Sequence, residues 1–369
     1  MKKLFLVLTA IVIFAAVYAA DLNFDVESQF FYNNYIKNEA FQFMSLQMTP
    51  SAFDAIEKIV LKAKENFEDT KMVFNSRFYL KPEQNKFDYI IDNAYFSYEN
   101  GPFVLYTGKQ RIKWGTGYFW NPTDKLQPEK NLLDPTIDLE GIYAIRVEYS
   151  GDLFTPSLII APEIVSYDRD FLENFKFAVQ LYKLIGTSDF FVNLIYHYNN
   201  LQLLGGAISY DMGVFVFNLE IAATQYMKNN NEINTSFITG LSKTLESNFF
   251  ITAEYYYNGD GLTNDEFSDF ISLNKISKFG LKKNYFSLNL ALTYIEKFTF
   301  SLTGIYGMDD SSVFLYPKIE YIEKSNFNVE AGLIQNINAR ENKEIFYSLM
   351  KHKLSDNKLT DKRHHVYRL

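Results

Sequence analysis

The 369-residue sequence has no cysteine, four histidines and two tryptophans. Without cysteine, a secreted chain has no disulfides to staple it and no thiolate zinc site. Four histidines leave little for imidazole metal chemistry. There is no Gly-x-Ser-x-Gly elbow, and no phosphate-cradling or dinucleotide fingerprint. Positive charge is in deficit, 36 Lys and Arg against 44 Asp and Glu, for a net charge of −8. That balance disfavours nucleic acid, because phosphate binding needs a basic surface. Long apolar runs are also missing, with one exception at the start. Met1-Lys2-Lys3 leads into an apolar run from Leu4 to Val17, broken only by Thr9 and ending in Val17-Tyr18-Ala19-Ala20 before Asp21. A short basic start, an apolar centre and a small-residue exit predict a secretory signal peptide over residues 1–19. The run is short for a spanning helix, which takes about 20 apolar residues. Any later membrane insertion therefore has to be as a closed β-barrel.

Aromatic residues, by contrast, are abundant: 35 Phe and 27 Tyr, in a chain of mean hydropathy −0.15. They are spread thinly along the whole length and they alternate. Phe286, Leu288, Leu290, Leu292 and Tyr294 alternate with Ser287, Asn289, Ala291 and Thr293. The same pattern runs through Phe298 to Tyr306, Phe327 to Leu333, Phe215 to Ile221, Phe175 to Leu181 and Leu22 to Val26. A helical period of 3.6 would turn every second apolar residue to the wrong side, so these are strands with one apolar face. Residues 51–69 fit a helix through Ala52, Ala55, Ile56 and Ile59. They also fit a strand with Ile59, Leu61 and Ala63 on one face, and strand is the assignment adopted. Short turns at Tyr210 to Gly213, Ile295 to Lys297 and Glu323 to Ser325 contrast with a long polar connection at 258–283. Short turns on one side and long loops on the other are the pattern of outer-membrane barrels. With about 20 residues per strand and connection, the expectation is an all-β transmembrane antiparallel β-barrel of roughly 16–18 strands over residues 20–350. Residues 351–369 are then a basic tail or the closing strand.

Residues 108–126, GKQRIKWGTGYFWNPTDKL, contain both tryptophans. A strand from Phe103 to Lys113 would place Lys109, Arg111 and Lys113 on one face. Facing lipid, each would cost about 2–4 kcal/mol near the midplane, so they are expected in the lumen or the interface. Gly115 and Gly117 then end strand geometry, and Pro122 blocks a return to central pairing. Residues 121–140 carry three prolines and several carboxylates with no strand pattern, which is unusual in a compact fold and often functional. The expectation is an inward-folded loop that narrows a pore. Asp124, Asp134 and Asp138 would face Lys109, Arg111, Lys113 and Arg146 and set up a transverse field. The alternative is an external loop with both tryptophans in an aromatic belt.

The run Gly108-Lys-Gln-Arg-Ile-x-Trp114-Gly115-x-Gly117, followed by Asn121-Pro122-x-Asp124, resembles a signature of Gram-negative-type outer-membrane porin-like barrels, including alginate-export-like and related groups. Trp120 lies between its two halves. The resemblance covers Gly108 to Asp124 and, more loosely, Gly141 to Tyr149. It implies a barrel placed in the outer membrane by the barrel-assembly machinery. Such barrels usually end on a strand with a terminal aromatic residue. This chain ends His365-Val366-Tyr367-Arg368-Leu369, so closure falls either there or near Ile345 to Leu349.

Other candidates are weaker. His197 is expected to point inward as a lumen-lining residue, because Phe190, Val192, Leu194, Tyr196 and Tyr198 form the more apolar face of its strand, and no serine nucleophile is placed to use it. His352, His364 and His365 sit among lysines that oppose metal binding. Gly205-Gly206 marks a bulge or a close approach. The sequence therefore points to a porin or diffusion channel for small polar solutes, with no catalytic site, no metal and no cofactor. Its surroundings would be outer-membrane lipid, and any homo-oligomer would form through the lipid-facing side. The alternatives are an export duct for an anionic polysaccharide, which predicts a continuous basic stripe, and a structural barrel anchoring a surface layer, which predicts a sealed lumen.

Overall fold

The computed structural model describes residues 21–33, 52–81, 86–127, 140–162, 175–198, 200–227, 233–245, 248–261, 282–294, 298–309, 311–323, 327–332 and 335–337. The strands are β1 (Asp21–Asn33), β2 (Ala52–Phe67), β3 (Thr70–Lys81), β4 (Lys86–Asn100), β5 (Phe103–Gln110), β6 (Ile142–Tyr149), β7 (Thr155–Pro162), β8 (Phe175–Ile185), β9 (Ser188–His197), β10 (Leu201–Asp211), β11 (Val216–Tyr226), β12 (Ile233–Leu245), β13 (Phe249–Tyr257), β14 (Asn284–Tyr294), β15 (Phe298–Gly307), β16 (Ser312–Glu323), β17 (Phe327–Gly332) and β18 (Gln335–Ile337). They form one sheet, and no helix occurs among the described residues.

From β1 to β17 each strand pairs antiparallel with the next, as hairpin connections require. β17 and β18 both pair with β16 and share one register, Lys318 opposite Gly332 and Val313 opposite Ile337. They are two pieces of a single strand position. Residues 52–67 are strand, because both flanks of β2 are paired.

Alternation decides which way the wall faces. Val192 and Leu194 are about half exposed, whereas Asn193 between them is 0% exposed. Leu219 and Ile221 likewise flank a fully buried Glu220, and Phe286 precedes a fully buried Ser287. Sliding a strand by one residue would exchange the two sets, so the burial pattern pins the register. A continuous belt of exposed Leu, Ile, Val and Phe is costly in water and suited to hydrocarbon. The two ends of the wall differ as well. Turns of two to four residues at Glu68–Asp69, Gly101–Pro102, Gly186–Thr187 and Met212–Phe215 share one end. The long connections 111–141 and 258–283 leave from the other.

One detail departs from expectation and another decides between two alternatives. The strand expected to run to Lys113 stops at Gln110, so Arg111 and Lys113 do not continue the face of Lys109. Gly205-Gly206 holds an unbroken register with both neighbours, so it is a close approach and not a bulge. An irregularity does occur between Asn75 and Ser76 of β3, opposite Asn93 and Ile91, which leaves Asp92 without a mate. Bulges of this kind re-aim a side chain. The leader at 1–19, the tail at 351–369 and both closing-strand candidates lie outside the described residues.

Candidate functional site

After Gln110 the chain turns into the barrel. Residues 111–127 hold no regular secondary structure, yet their apolar side chains are almost fully buried. The inner wall offers the matching surface. Ile112, Trp114 and Leu126 pack against Ala144, Ile159, Ala161, Ala178, Ile195 and Leu203, a patch kept shallow by its alanines. Farther along the same circuit, Phe119 and Trp120 pack against Ile238, Tyr256, Tyr285, Ile305 and Phe314, from β12 to β16. Trp120 stacks on Tyr256 at 5.0 Å and 20°, and its centroid lies 5.8 Å from that of Tyr285. Both tryptophans are 2% exposed. They face the lumen side, which overturns the aromatic-belt alternative.

The backbone of such an excursion forms no ladder of its own, so most of its N–H groups need other acceptors. Two wall carboxylates supply them. Glu220 of β11 accepts from Thr116 N at 2.9 Å through Oε2, and from both Thr123 N and Thr123 Oγ1 at 2.7 Å through Oε1. Glu254 of β13 accepts from Tyr118 N at 2.7 Å, Phe119 N at 3.3 Å and Trp120 N at 3.1 Å. Glu220 thus ties the outgoing and returning limbs together, and Glu254 holds the tip. The glycines of the motif follow from this. Gly115 has φ +83°, and a Cβ there would lie 2.5 Å from Glu220 Oε2. A Cβ at Gly117 would lie 1.9 Å from Trp120 O.

The motif also closes on itself. Asn121 Nδ2 donates to Trp114 O at 2.8 Å, and Asp124 N donates to Asn121 O at 3.1 Å, through buried Pro122. Asp124 accepts from Leu126 N at 3.2 Å and Gln127 N at 3.1 Å, and from Trp114 N at 3.4 Å. Burial pushes the Asp124 carboxyl up to about 6; the three backbone N–H groups oppose this and the charge of Glu220 adds to it. Beyond it, Lys125 Nζ lies 3.7 Å from Asp260 Oδ2, a carboxylate that also accepts from Tyr226 Oη and Asn234 Nδ2.

A second group of charged side chains stands on another stretch of wall, β3 to β6. Arg77 forks onto Asp92, with Nε to Oδ2 at 2.7 Å, and Arg111 Nη2 lies 3.9 Å from the same carboxylate. Arg111 N donates to Asn93 Oδ1 at 3.1 Å. Arg146 pairs with Glu148 at 3.2 Å and lies 4.0 Å over the Tyr106 ring. Lys109 pairs with Glu140 and sits 5.5 Å above Tyr143, its register partner, on the face that carries Phe103 and Ile145. Lys113 is exposed.

The expected arrangement is therefore changed. Arg111 and Arg146 lie along the charged wall, Lys109 belongs to the Tyr143 face, and Asp124 serves backbone amides instead of opposing the cations. The nearby carboxylates are Asp92, Glu140 and Glu148. Asp134 and Asp138 lie outside the described residues. Sequence reading missed Arg77, Asp92, Glu220 and Glu254. The only signal for the last two was a carboxylate alternating with apolar residues, as in Leu219-Glu220-Ile221. His197 is 1% exposed on the inner face, with Nδ1 3.1 Å from Asn200 Nδ2. Among the described residues no group of three or more His, Asp or Glu has a metal-holding arrangement.

No protein-family model matches the chain, and no curated protein sequence does. Solved structures do match. Pseudomonas aeruginosa OccK5 (OpdH) aligns with TM-score 0.57 and 11% identity over 86% of this chain and 93% of its own. Pseudomonas aeruginosa OccK9 (OpdG) aligns with TM-score 0.57 and 10% identity over 86% and 95%. The outer membrane protein OprD from the same organism gives 0.53 and 10% over 86% and 88%. The fold is a transmembrane antiparallel β-barrel. At these identities the likeness is one of fold alone, and the roles of individual residues rest on the geometry above.

Proposed function

We propose that the protein is an outer-membrane channel for passive passage of small polar solutes. The observation that carries this reading is the docking of 111–127 onto the inner wall from β6 to β16. It narrows the lumen on that side and leaves the charged stretch from β3 to β6 as the side along which solutes pass. A barrel of about seventeen strands is wider than side chains alone can fill, so such a segment defines the aperture. The similarity in fold to the outer membrane protein OprD supports the location.

Arg77, Arg111 and Arg146, interleaved with Asp92 and Glu148, would filter by charge. Cations alternating with carboxylates favour a solute filter over a polymer duct, which calls for an unbroken basic stripe. The proposal includes a cleaved leader at residues 1–19, a barrel over 20–350, insertion by the barrel-assembly machinery and kinship with the porin-like group that shares the Gly108 to Asp124 motif. Homo-oligomers, if formed, would use the lipid-facing side.

The test is single-channel recording from the purified mature chain in a planar bilayer. Stepwise conductance is expected, and Arg111→Glu should shift ion selectivity toward cations. A folded barrel without conductance would remove the channel reading and leave a sealed, anchoring barrel.

A further inference from the structure

We propose that Glu220 and Glu254 are the positioning residues of the lumen: they hold 111–127 against the wall, and through it they set the aperture. The consequence for the aperture rests on the channel reading, whereas the positioning does not. Five backbone amides of one irregular segment converge on these two carboxylates, at Thr116, Thr123, Tyr118, Phe119 and Trp120. Three of them, consecutive in sequence, meet Glu254. Hydrogen bonds to an ionised acceptor are stronger than those to a neutral one, and they are short here, mostly 2.7–3.1 Å. Burying a carboxylate in a wall is costly unless its oxygens are satisfied. Glu220 is 0% and Glu254 3% exposed, so in their absence the inner wall would be better served by residues such as their neighbours Ala222 and Thr252.

The two sites do different work. Glu254 accepts from the amides of the tip, so its loss should free Tyr118 to Trp120 and leave the limbs in place. Glu220 touches both limbs, so its loss should let them part. A glutamine at either position retains the shape but presents an NH2 donor to backbone donors, so Gln is a sharper probe than Ala.

The absence of cysteine permits a direct test. A Cβ at position 205 would lie 3.2 Å from Thr123 Cβ, near the 3.5–4.5 Å spacing of a disulfide. Thr123→Cys with Gly205→Cys should therefore crosslink rapidly in the folded barrel when the segment is docked. Glu220→Gln is expected to slow that crosslinking about tenfold or more, the factor that a loss of about 1.4 kcal/mol corresponds to. Glu254→Gln should leave it closer to the parent rate while raising single-channel conductance and current noise. Folding of each variant is checked by heat-modifiable mobility in detergent gels. Tryptophan emission of the single variants, in the chain without cysteines, gives a second reading of docking. Unchanged crosslinking and unchanged emission in Glu220→Gln and Glu254→Gln would overturn the proposal. Slowed crosslinking in a protein whose parent conducts nothing would uphold the positioning role and remove the channel reading.

Discussion

Thr123 lies directly against Gly205: a Cβ at that glycine would sit 2.5 Å from the Thr123 methyl group. Thr123 is also the residue whose amide and hydroxyl both donate to Glu220. The returning limb is thus pinned between a carboxylate and a bare stretch of strand, and the glycine is what lets it come so close.

Gly205→Ala should push this limb off the wall. The expected cost is about 1–3 kcal/mol, the range for overpacking, seen as a lower unfolding midpoint in denaturant. Thr123→Ser removes the clashing methyl and retains the hydroxyl, so the double variant should recover most of the loss. An Ala variant as stable as the parent would show that the limb does not dock at this distance.

Both tryptophans are buried in the same segment, so tryptophan emission, excited selectively over tyrosine, reports that segment. Emission should be blue-shifted in the folded barrel. Trp120→Ala removes a ring stacked on Tyr256 and should cost about 3–5 kcal/mol if the site does not collapse. The remaining Trp114 emission should then move to the red, because the tip loses its hold. Trp120→Phe should retain a good part of the stacking and shift less. An emission maximum near that of unfolded chain in the native parent would contradict the inward docking.

Asp92 is the shared partner of Arg77 and Arg111, with a side chain only 4% exposed. Asp92→Asn removes one negative charge between two guanidinium groups. Stability should fall by about 2 kcal/mol, less than for a fully buried pair because Arg77 retains some exposure. Reversal potentials in a salt gradient should shift toward anions. Arg77→Gln should shift them the other way.

Asp124 carries a pH dependence of defined sign. Its folded-state value of about 6 lies above the ordinary 3.8, so the fold favours the protonated form. Its contribution to docking is fully present below about pH 4 and is lost as pH rises through about 6, to a limit of about 3 kcal/mol. Tryptophan emission followed from pH 4 to 8 should show the segment loosening across that window. Asp124→Asn should flatten the profile. A profile unchanged by that substitution would assign the dependence to another group.

Much of this architecture is local and therefore legible. Alternation at Val192-Asn193-Leu194 and Phe286-Ser287 declares strand and facing from neighbours alone, because the pleat has a period of two. Turn and loop lengths followed from Gly, Asn and Asp clusters, and the break at Gly115 and Gly117 announced itself. The grouping of Arg111 and Lys113 with Lys109 on one face failed for a physical reason. Extrapolating a period-two pattern from Phe103 to Lys113 assumes a continuous strand, but β5 ends at Gln110, and past that point parity no longer predicts facing. The expected pairing of Asp124 with the cations failed for a different reason. Asp124 looked like a partner for cations because it is charged, but its own turn supplies amide donors two and three residues away.

The sequence by itself determined a cysteine-free chain of amphipathic strands interrupted by one irregular aromatic segment, because each of those properties is written in residues close together. Only the tertiary structure decided where that segment goes and what holds it. Thr123 meets Glu220 across 97 residues and Tyr118 meets Glu254 across 136. Contacts of that span depend on which strands the closing sheet brings face to face, and nothing in the local spacing of either residue encodes it.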